Sequence, residues 1–445
     1  MSSIALHEYF EGHEVYGSNL EETERASYLR KFGIKVFVPH SRDNWLDPDL
    51  VVKSSAVPIN NPEVELAKEK NVEVMDRLVF FREILNHQKK PQFAVTGTDG
   101  KTTTTAMLAH VFKNLSLSPT VFLGGISVHF EHGNYERGTG PFVYELDESN
   151  EEFSFFTPDF LIVTNARGDH LENYQNNLDH YKSAFERICK NAEVTVTYAE
   201  DENIARFGTV TFGVRRGDYT LQMRTADRFK QRAIVEKKGK KLLEFCLNVP
   251  GFHNVLNALS VIALMDTLGY DLSIVVSALE TYRNVYRRFT ISFEDAENGL
   301  YVIDDYAHTS DEVRSLLETT KEVFYKEKIV VVFQPHRYSR LEREDGKLAD
   351  ALALADEIVV TEVYDAYEEK KEKVSGRMIL DFLAKSGKKA VFVENLSDLK
   401  EVLKPDRNTV FLFVGAGDIV KASKEFIREL QSSKMAPSPL SGSNR

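Results

Sequence analysis

The stretch Ala94-Val95-Thr96-Gly97-Thr98-Asp99-Gly100-Lys101-Thr102-Thr103 brings together the residue types that hold a phosphate chain. An apolar run enters a loop with two glycines, and the loop opens into a helical pattern with Leu108, Val111, Phe112 and Leu115 at i, i+3, i+4, i+7 spacing. Glycines let backbone N–H groups approach phosphate oxygens, and a helix start adds positive potential. Lys101 is placed to reach the β- and γ-phosphates, and the Thr102 hydroxyl to bind Mg²⁺. A full phosphate loop carries a glycine where Val95 stands, so this is the shortened form G-T-x-G-K-T. Gly97, Thr98, Asp99, Gly100, Lys101, Thr102 and Thr103 are therefore candidate ATP-binding residues. The bland alternative is a strand–turn–helix with a chance Gly-Lys-Thr.

Two further apolar runs turn polar at their ends. Phe142-Val143-Tyr144-Glu145 leads into Leu146-Asp147-Glu148-Ser149, and Phe160–Asn165 leads into Gly168-Asp169-His170. In parallel α/β sheets, ligands bind beyond the carboxyl ends of strands. Mg²⁺ prefers oxygen and few protein ligands, which makes Glu145 a candidate and His170 a less usual one. His253-Asn254-Val255-Leu256-Asn257 opens another helix, with Asn254 and Asn257 on one face where amides can read an adenine edge. Near the C-terminus, Asp304-Asp305-Tyr306-Ala307-His308 ends one strand, and Gln334-Pro335-His336-Arg337-Tyr338-Ser339-Arg340 ends the next. If these ends are neighbours, Arg337 and Arg340 can hold a carboxylate by forked hydrogen bonds. Asp304 or Asp305 can accept from a ribose or an ammonium group. Surface ion pairs and an N-cap are the plainer readings of these residues.

Strands and helices must alternate to place these residues. Runs at Glu14–Gly17, Lys35–Val38, Leu50–Lys53, Val72–Val74, Phe93–Thr96, Phe142–Leu146, Phe160–Thr164, Glu193–Thr197, Tyr301–Ile303, Ile329–Phe333, Glu357–Thr361, Ala390–Val393 and Thr409–Val414 read as strands, with helical periodicity between them. Residues 209–247 read as a β-rich insertion with turns at 216–218 and 238–240. The fold class is α/β. At roughly 150 residues per domain, the 445 residues make about three domains. The charge balance is 56 basic against 68 acidic, a net −12, which argues against nucleic-acid binding. Two cysteines exclude a disulfide framework and fit a reducing, cytoplasmic compartment. No run of about 18 apolar residues exists, so membrane insertion is not expected.

These motifs converge. The segments GTDGKTTTT (97–105), YELDES (144–149), TNARGDHLENY (164–174), GFHNVLNA (251–258), RRF (287–289), DDYAH (304–308), FQPHRYSRL (333–341) and GAGDI (415–419) resemble, in order, those of the Mur ligases, which use ATP to add amino acids to the peptidoglycan precursor. The PHRYSR and DES segments resemble the branch that joins L-alanine to UDP-N-acetylmuramate. The resemblance implies three domains: a UDP-sugar-binding Rossmann-like domain over 1–88, a central ATPase-type parallel sheet over 89–285, and a C-terminal Rossmann-like domain over 286–431. A flexible tail over 432–445 is expected to follow. It also implies an acyl phosphate formed from ATP, then attack by the amino group of alanine. Lys101 would stabilise the transferred phosphoryl group. Thr102 and Glu145 would bind one Mg²⁺ and His170 a second. His253, Asn254 and Asn257 would border the adenine, and Arg288 and Asp305 would face the nucleotide. His308, His336, Arg337 and Arg340 would form the amino-acid side, with His308 among the catalytic groups, and Ser54 and Ser55 would contact the UDP-sugar. The expected assembly is a monomer or weak homodimer.

Several positions depart from the family pattern. Asp99 stands where this branch carries His, Arg167-Gly168 precedes Asp169-His170 in place of an acidic-type pair, Asn19 replaces Asp, and Asp365–Glu368 replaces an Ala-Gly-Glu loop. Phe185 occupies the place of the lysine that other branches carbamylate. The chain opens on a helix, Met1–Phe10, where the family has a strand and glycine-rich loop first; about a dozen preceding residues are therefore expected to be missing. Two rival readings are kept: a ligase attaching a muropeptide to the same sugar nucleotide, and a non-catalytic nucleotide-binding homologue.

Overall fold

The computed structural model describes residues 1–344, 346–366 and 368–435. They form two compact units: Met1–Met223 with Ala233–Phe245 and Leu256–Arg283, and Arg224–Arg232 with Cys246–Val255 and the chain from Asn284 onward.

The first unit begins with the helix Ser2–Phe10 and four short strands: β1 (Tyr16–Ser18), β2 (Lys35–Phe37), β3 (Leu50–Lys53) and β4 (Glu73–Asp76). These pair as two separate parallel ladders, β1 with β2 and β3 with β4, rather than as one sheet. Side-chain caps start the intervening helices. The Thr23 hydroxyl accepts from Ala26 N, the Asn61 amide oxygen from Glu63 and Val64 N, and Asp76 from Leu78 N. Leu6, Leu29, Ile34, Leu78 and Phe81 share one core with Tyr135, Tyr144, Phe156 and Phe185 of the chain that follows.

That following chain supplies β5 (Gln92–Thr96), β6 (Thr120–Phe122), β7 (Tyr135–Glu136), β8 (Phe142–Glu145), β9 (Phe160–Val163), β10 (Val194–Tyr198), β11 (Val210–Gly213), β12 (Tyr219–Asp227), β13 (Lys230–Lys237) and β14 (Lys240–Leu247). They lie in the order β14-β13-β12-β11-β10-β9-β5-β8-β6-β7. All of β5 is buried, and it pairs in parallel with β8 on one side and β9 on the other. A strand buried on both faces and both edges reads as a continuous apolar run, as this one does.

The second unit holds β15 (Thr290–Asp295), β16 (Leu300–Asp305), β17 (Lys328–Phe333), β18 (Glu357–Thr361), β19 (Val391–Val393) and β20 (Thr409–Val414), in the order β15-β16-β20-β17-β18-β19. Only β15 runs antiparallel among these paired strands. The alternation in β20 explains its central place. Val410, Leu412 and Val414 enter one core with Leu317 and Leu348, while Phe411 and Phe413 enter another with Ile419 and Phe426. The two ends singled out in the sequence are thus not on neighbouring strands: β16 and β17 flank β20, because the chain crosses over and returns between them. The last helix, Ile419–Met435, runs through Ser432, where the tail was expected to begin. The rest of that expected tail, 436–445, and Tyr367 lie outside the described residues.

Truncating Leu412 to Ala leaves a cavity in the middle of this sheet. We expect a loss of about 2–5 kcal/mol of stability, measured by urea unfolding.

Candidate active site

The phosphate loop follows β5 and is fixed by the strands on either side. Leu146 N donates to Val95 O and Thr164 N to Thr96 O, so the ends of β8 and β9 frame it. Gly97 has a φ of 130°, and a methyl group there would lie 2.2 Å from Thr164 Oγ1 and 2.7 Å from Asn165 O. Only glycine fits this approach. Gly100 takes a left-handed φ of 83° at the start of the helix Lys101–Asn114 and has no side chain with which to cap it. The first-turn N–H groups are left as an anion cradle. Asn257 lies against this turn, its Oδ1 2.7 Å from where a Gly100 Cβ would be.

Lys101 lies inside the loop. Its Nζ donates to Gly97 O at 2.6 Å, Thr98 O at 2.9 Å and Glu148 Oε2 at 2.7 Å. Glu148 is 2% exposed. Burial works against the ammonium, but Glu148, Asp147 and Glu145 outweigh it and hold Lys101 above its ordinary range. The Glu148 carboxyl is pushed up to about 8 by burial, against the pull of Lys101. The sequence reading missed this carboxylate as a site residue; its signal was the acidic run 145–148. Beside it, the Thr102 hydroxyl donates to Glu145 Oε1 at 2.9 Å, and Gly124 N to Glu145 Oε2 at 3.0 Å. Two oxygens meeting at a phosphate loop fit a hard cation. His170 sits on the loop after β9, with φ of 61° and Nδ1 3.4 Å from Glu172. Among the described residues, no group of three or more His, Cys, Asp and Glu converges to hold a metal.

Ser54 and Ser55 follow β3. The Ser54 hydroxyl accepts from Ala56 N at 3.4 Å, and Ser55 donates to Asp76 at 3.0 Å.

In the second unit, His253 Nδ1 lies 2.9 Å from Ser315 Oγ, and the Asn254 amide donates inward to Pro250 O at 2.6 Å. At the C-terminal edge of the sheet, Asp305, Val414 and Phe333 stand in one register row. Asp305 accepts Phe289 N at 2.6 Å and Ala307 N at 2.8 Å, so both its oxygens organise backbone. Arg288 Nη1 reaches Glu312 at 3.4 Å. Beyond this row the rings of His308 and His336 are 5.7 Å apart, so the crossover still brings them together. His308 Nδ1 is 3.0 Å from Tyr306 O and 3.2 Å from Glu312. Arg340, 6% exposed, reaches His336 Nδ1 at 3.0 Å. The ring of Tyr364 stacks on His336 at 5.8 Å, and Arg337 N donates to Tyr364 O at 2.9 Å. Burial, opposed by Glu312 and aided by Arg340, lowers His308 to about 4. Burial, His308, Arg340 and Arg337 lower His336 to about 3. Both imidazoles are neutral near pH 7, in a rim whose fixed charge includes two guanidinium groups. Glu312 and Tyr364 were not found from sequence; Glu312 lies at the N3 position of a capping box begun by Thr309, a pattern that reads as helix start alone.

Comparison with known proteins decides the family. Residues 1–89 match the Mur ligase family catalytic domain, 95–265 the Mur ligase middle domain, and 287–417 the Mur ligase glutamate ligase domain. The chain belongs to the Mur ligase family. A UDP-N-acetylmuramate–L-alanine ligase of Thermotoga sp. (strain RQ2) is 64% identical to this Mur ligase over 445 residues, covering 100% of this chain and 97% of that one. The crystal structure of the UDP-N-acetylmuramate-alanine ligase of Thermotoga maritima superposes with a TM-score of 0.91 at 60% identity, over 97% of each chain. A murein peptide ligase of Psychrobacter arcticus shares the fold, with a TM-score of 0.71 at 20% identity, over 97% of this chain and 96% of that one.

Two departures of this Mur ligase from the family pattern prove to be one. Arg167 Nη1 lies 3.1 Å from the Asp99 carboxylate, so the acid in the loop and the base after β9 answer each other.

The buried imidazoles make stability depend on pH. A His held below its unfolded value of 6.5 binds its proton less well when folded, so stability falls as pH drops from about 6.5 through about 4. We expect His308→Gln to flatten this decline, measured as melting temperature against pH from 7 to 4.

Proposed function

We propose that this Mur ligase joins L-alanine to UDP-N-acetylmuramate with ATP, in peptidoglycan precursor synthesis. Full-length identity of 64% to a relative named for that reaction carries the reading. The two sites supply chemistry that suits it. A muramoyl carboxylate oxygen attacks the γ-phosphorus of ATP, ADP leaves, and an acyl phosphate forms. The alanine amino group then attacks the acyl carbon, and the tetrahedral intermediate expels phosphate. Phosphoryl transfer is mainly positioning and charge neutralisation. Lys101 and the first-turn amides of Thr102 and Thr103, with Gly97, Thr98, Asp99 and Gly100, hold the phosphates. We assign Mg²⁺ to Thr102 and Glu145, with His170 at a second ion; bound Mg²⁺ neutralises charge on the phosphate oxygens.

His308 turns Nδ1 to the Tyr306 carbonyl, which fixes the proton there and leaves Nε2 as a lone pair for the incoming ammonium group. We assign Arg337 or Arg340 to the alanine carboxylate, beside His336, which meets Arg340 and stacks on Tyr364. We assign His253, Asn254, Asn257, Arg288 and Asp305 to the nucleotide, and Ser54 and Ser55 to the UDP-sugar. We place the domain divisions near residues 88 and 286. We place the reaction in the cytoplasm; among the described residues no helix is long and apolar enough to cross a membrane.

The test is phosphate release with the three substrates supplied singly and together. Release that needs ATP, UDP-N-acetylmuramate and L-alanine at once is expected. Preference for a muropeptide over L-alanine, or no turnover at all, would overturn the reading in favour of its two rivals. Lys101→Ala should lower kcat by about three orders of magnitude or more while the melting temperature shows a folded protein.

A further inference from the structure

We propose that Arg287 is a positioning residue that sets the geometry of the amino-acid rim. This inference rests on the ligase reading above and names a residue which that reading does not use. Arg287 lies just before β15, in a left-handed conformation with φ of 59° that is uncommon for a side-chain-bearing residue. Its backbone is fastened at both ends: its N donates to Thr290 Oγ1 at 2.8 Å, and its carbonyl accepts Tyr306 N at 2.8 Å. The guanidinium then does two things at once. Nη2 donates to the carbonyls of Gly415 and, at 3.3 Å, Gly417 in the turn that ends β20. The same planar group lies against the Tyr306 ring, with Cζ 5.0 Å from the ring centroid.

Each of these contacts leads to one of the two rim imidazoles. Tyr306 carries His308, through its carbonyl and through an edge-on ring contact at 5.5 Å. The Gly415–Gly417 turn leads to His336. A methyl group at Gly417 would lie 2.5 Å from Tyr364 Cγ, so the turn is in close contact with the ring that stacks on His336. Arg287 therefore grips both supports. It stands where β20 separates β16 from β17, the gap that the two histidines must span. Only a guanidinium fits the task, since it forks to carbonyls in its plane and offers a flat face to an aromatic ring. A lysine ammonium is a point charge and cannot hold both.

Arg287→Lys tests this with steady-state kinetics, substrate by substrate. Losing one charge-assisted hydrogen bond to the turn should raise KM for L-alanine about tenfold or more. KM for ATP should stay within twofold and the melting temperature should be nearly unchanged. Arg287→Ala should do more, and guanidine hydrochloride at sub-denaturing concentration should restore part of the alanine affinity. An alanine KM that does not move in the lysine variant overturns the inference. So does a parallel loss of ATP affinity, alanine affinity and melting temperature, because a merely structural role would give that pattern. If Arg287→Ala does not fold, the lysine variant alone decides. A wild-type enzyme that does not consume L-alanine defeats the ligase reading and this inference together. A wild-type enzyme active with alanine and an indifferent lysine variant defeats the inference only.

Discussion

A cation inside a protein must be answered by oxygen atoms, and the phosphate loop is organised by that demand. Lys101 uses three donors on three acceptors, two of them loop carbonyls and one the buried Glu148. The carbonyls fix the loop's curvature, and Glu148 fixes the strand end that faces it. An ATP phosphate offers the same kind of acceptor with more charge. On the proposed reading, Lys101 would exchange one of these oxygen partners for a phosphate oxygen when the nucleotide binds. Electrostatic stabilisation of this kind is effective because little reorganisation is left for the reaction itself.

The second unit meets a related demand in a different way. Its rim gathers Arg337, Arg340 and two imidazoles at the carboxyl edge of a parallel sheet, where a carboxylate ligand would complete the charge balance. Burial and the neighbouring guanidinium groups keep His308 and His336 neutral, so they can accept a hydrogen bond without adding charge. The central strand β20 makes this possible. Its two-sided apolar pattern places it between β16 and β17, and its glycine turn packs closely against Gln334 and Tyr364.

Much of this was legible in the residues. The loop, the apolar β5, the acidic end of β8 and the all-apolar β20 follow from pattern, because strand burial and phosphate binding each require particular residue types. β6, β7 and β15 were not legible: β6 and β7 have three and two residues, and β15 is an antiparallel edge strand without a continuous apolar run. The sequence suggested that the ends of β16 and β17 are neighbours. The structure separates them by β20, because chain order does not state where a returning strand inserts. The four N-terminal strands read as strands without partners, and they pair as two ladders, since strand propensity says nothing about pairing. Asp99 and Arg167 looked like separate departures because their pairing spans 68 positions of chain and exists only once β5 and β9 lie side by side. The long-range contacts of Glu148, Arg287 and Tyr364 were hidden for the same reason.

On the proposed reading, a muramoyl carboxylate is activated by phosphoryl transfer before alanine attacks it. The direct test uses UDP-N-acetylmuramate with its carboxylate oxygens labelled with oxygen-18, and mass spectrometry of the phosphate released during turnover with ATP and L-alanine. An acyl phosphate carries one carboxylate oxygen into the leaving phosphate, so the account predicts phosphate bearing one labelled oxygen for each amide formed. Unlabelled phosphate, with both heavy oxygens still accounted for outside it, would contradict the account.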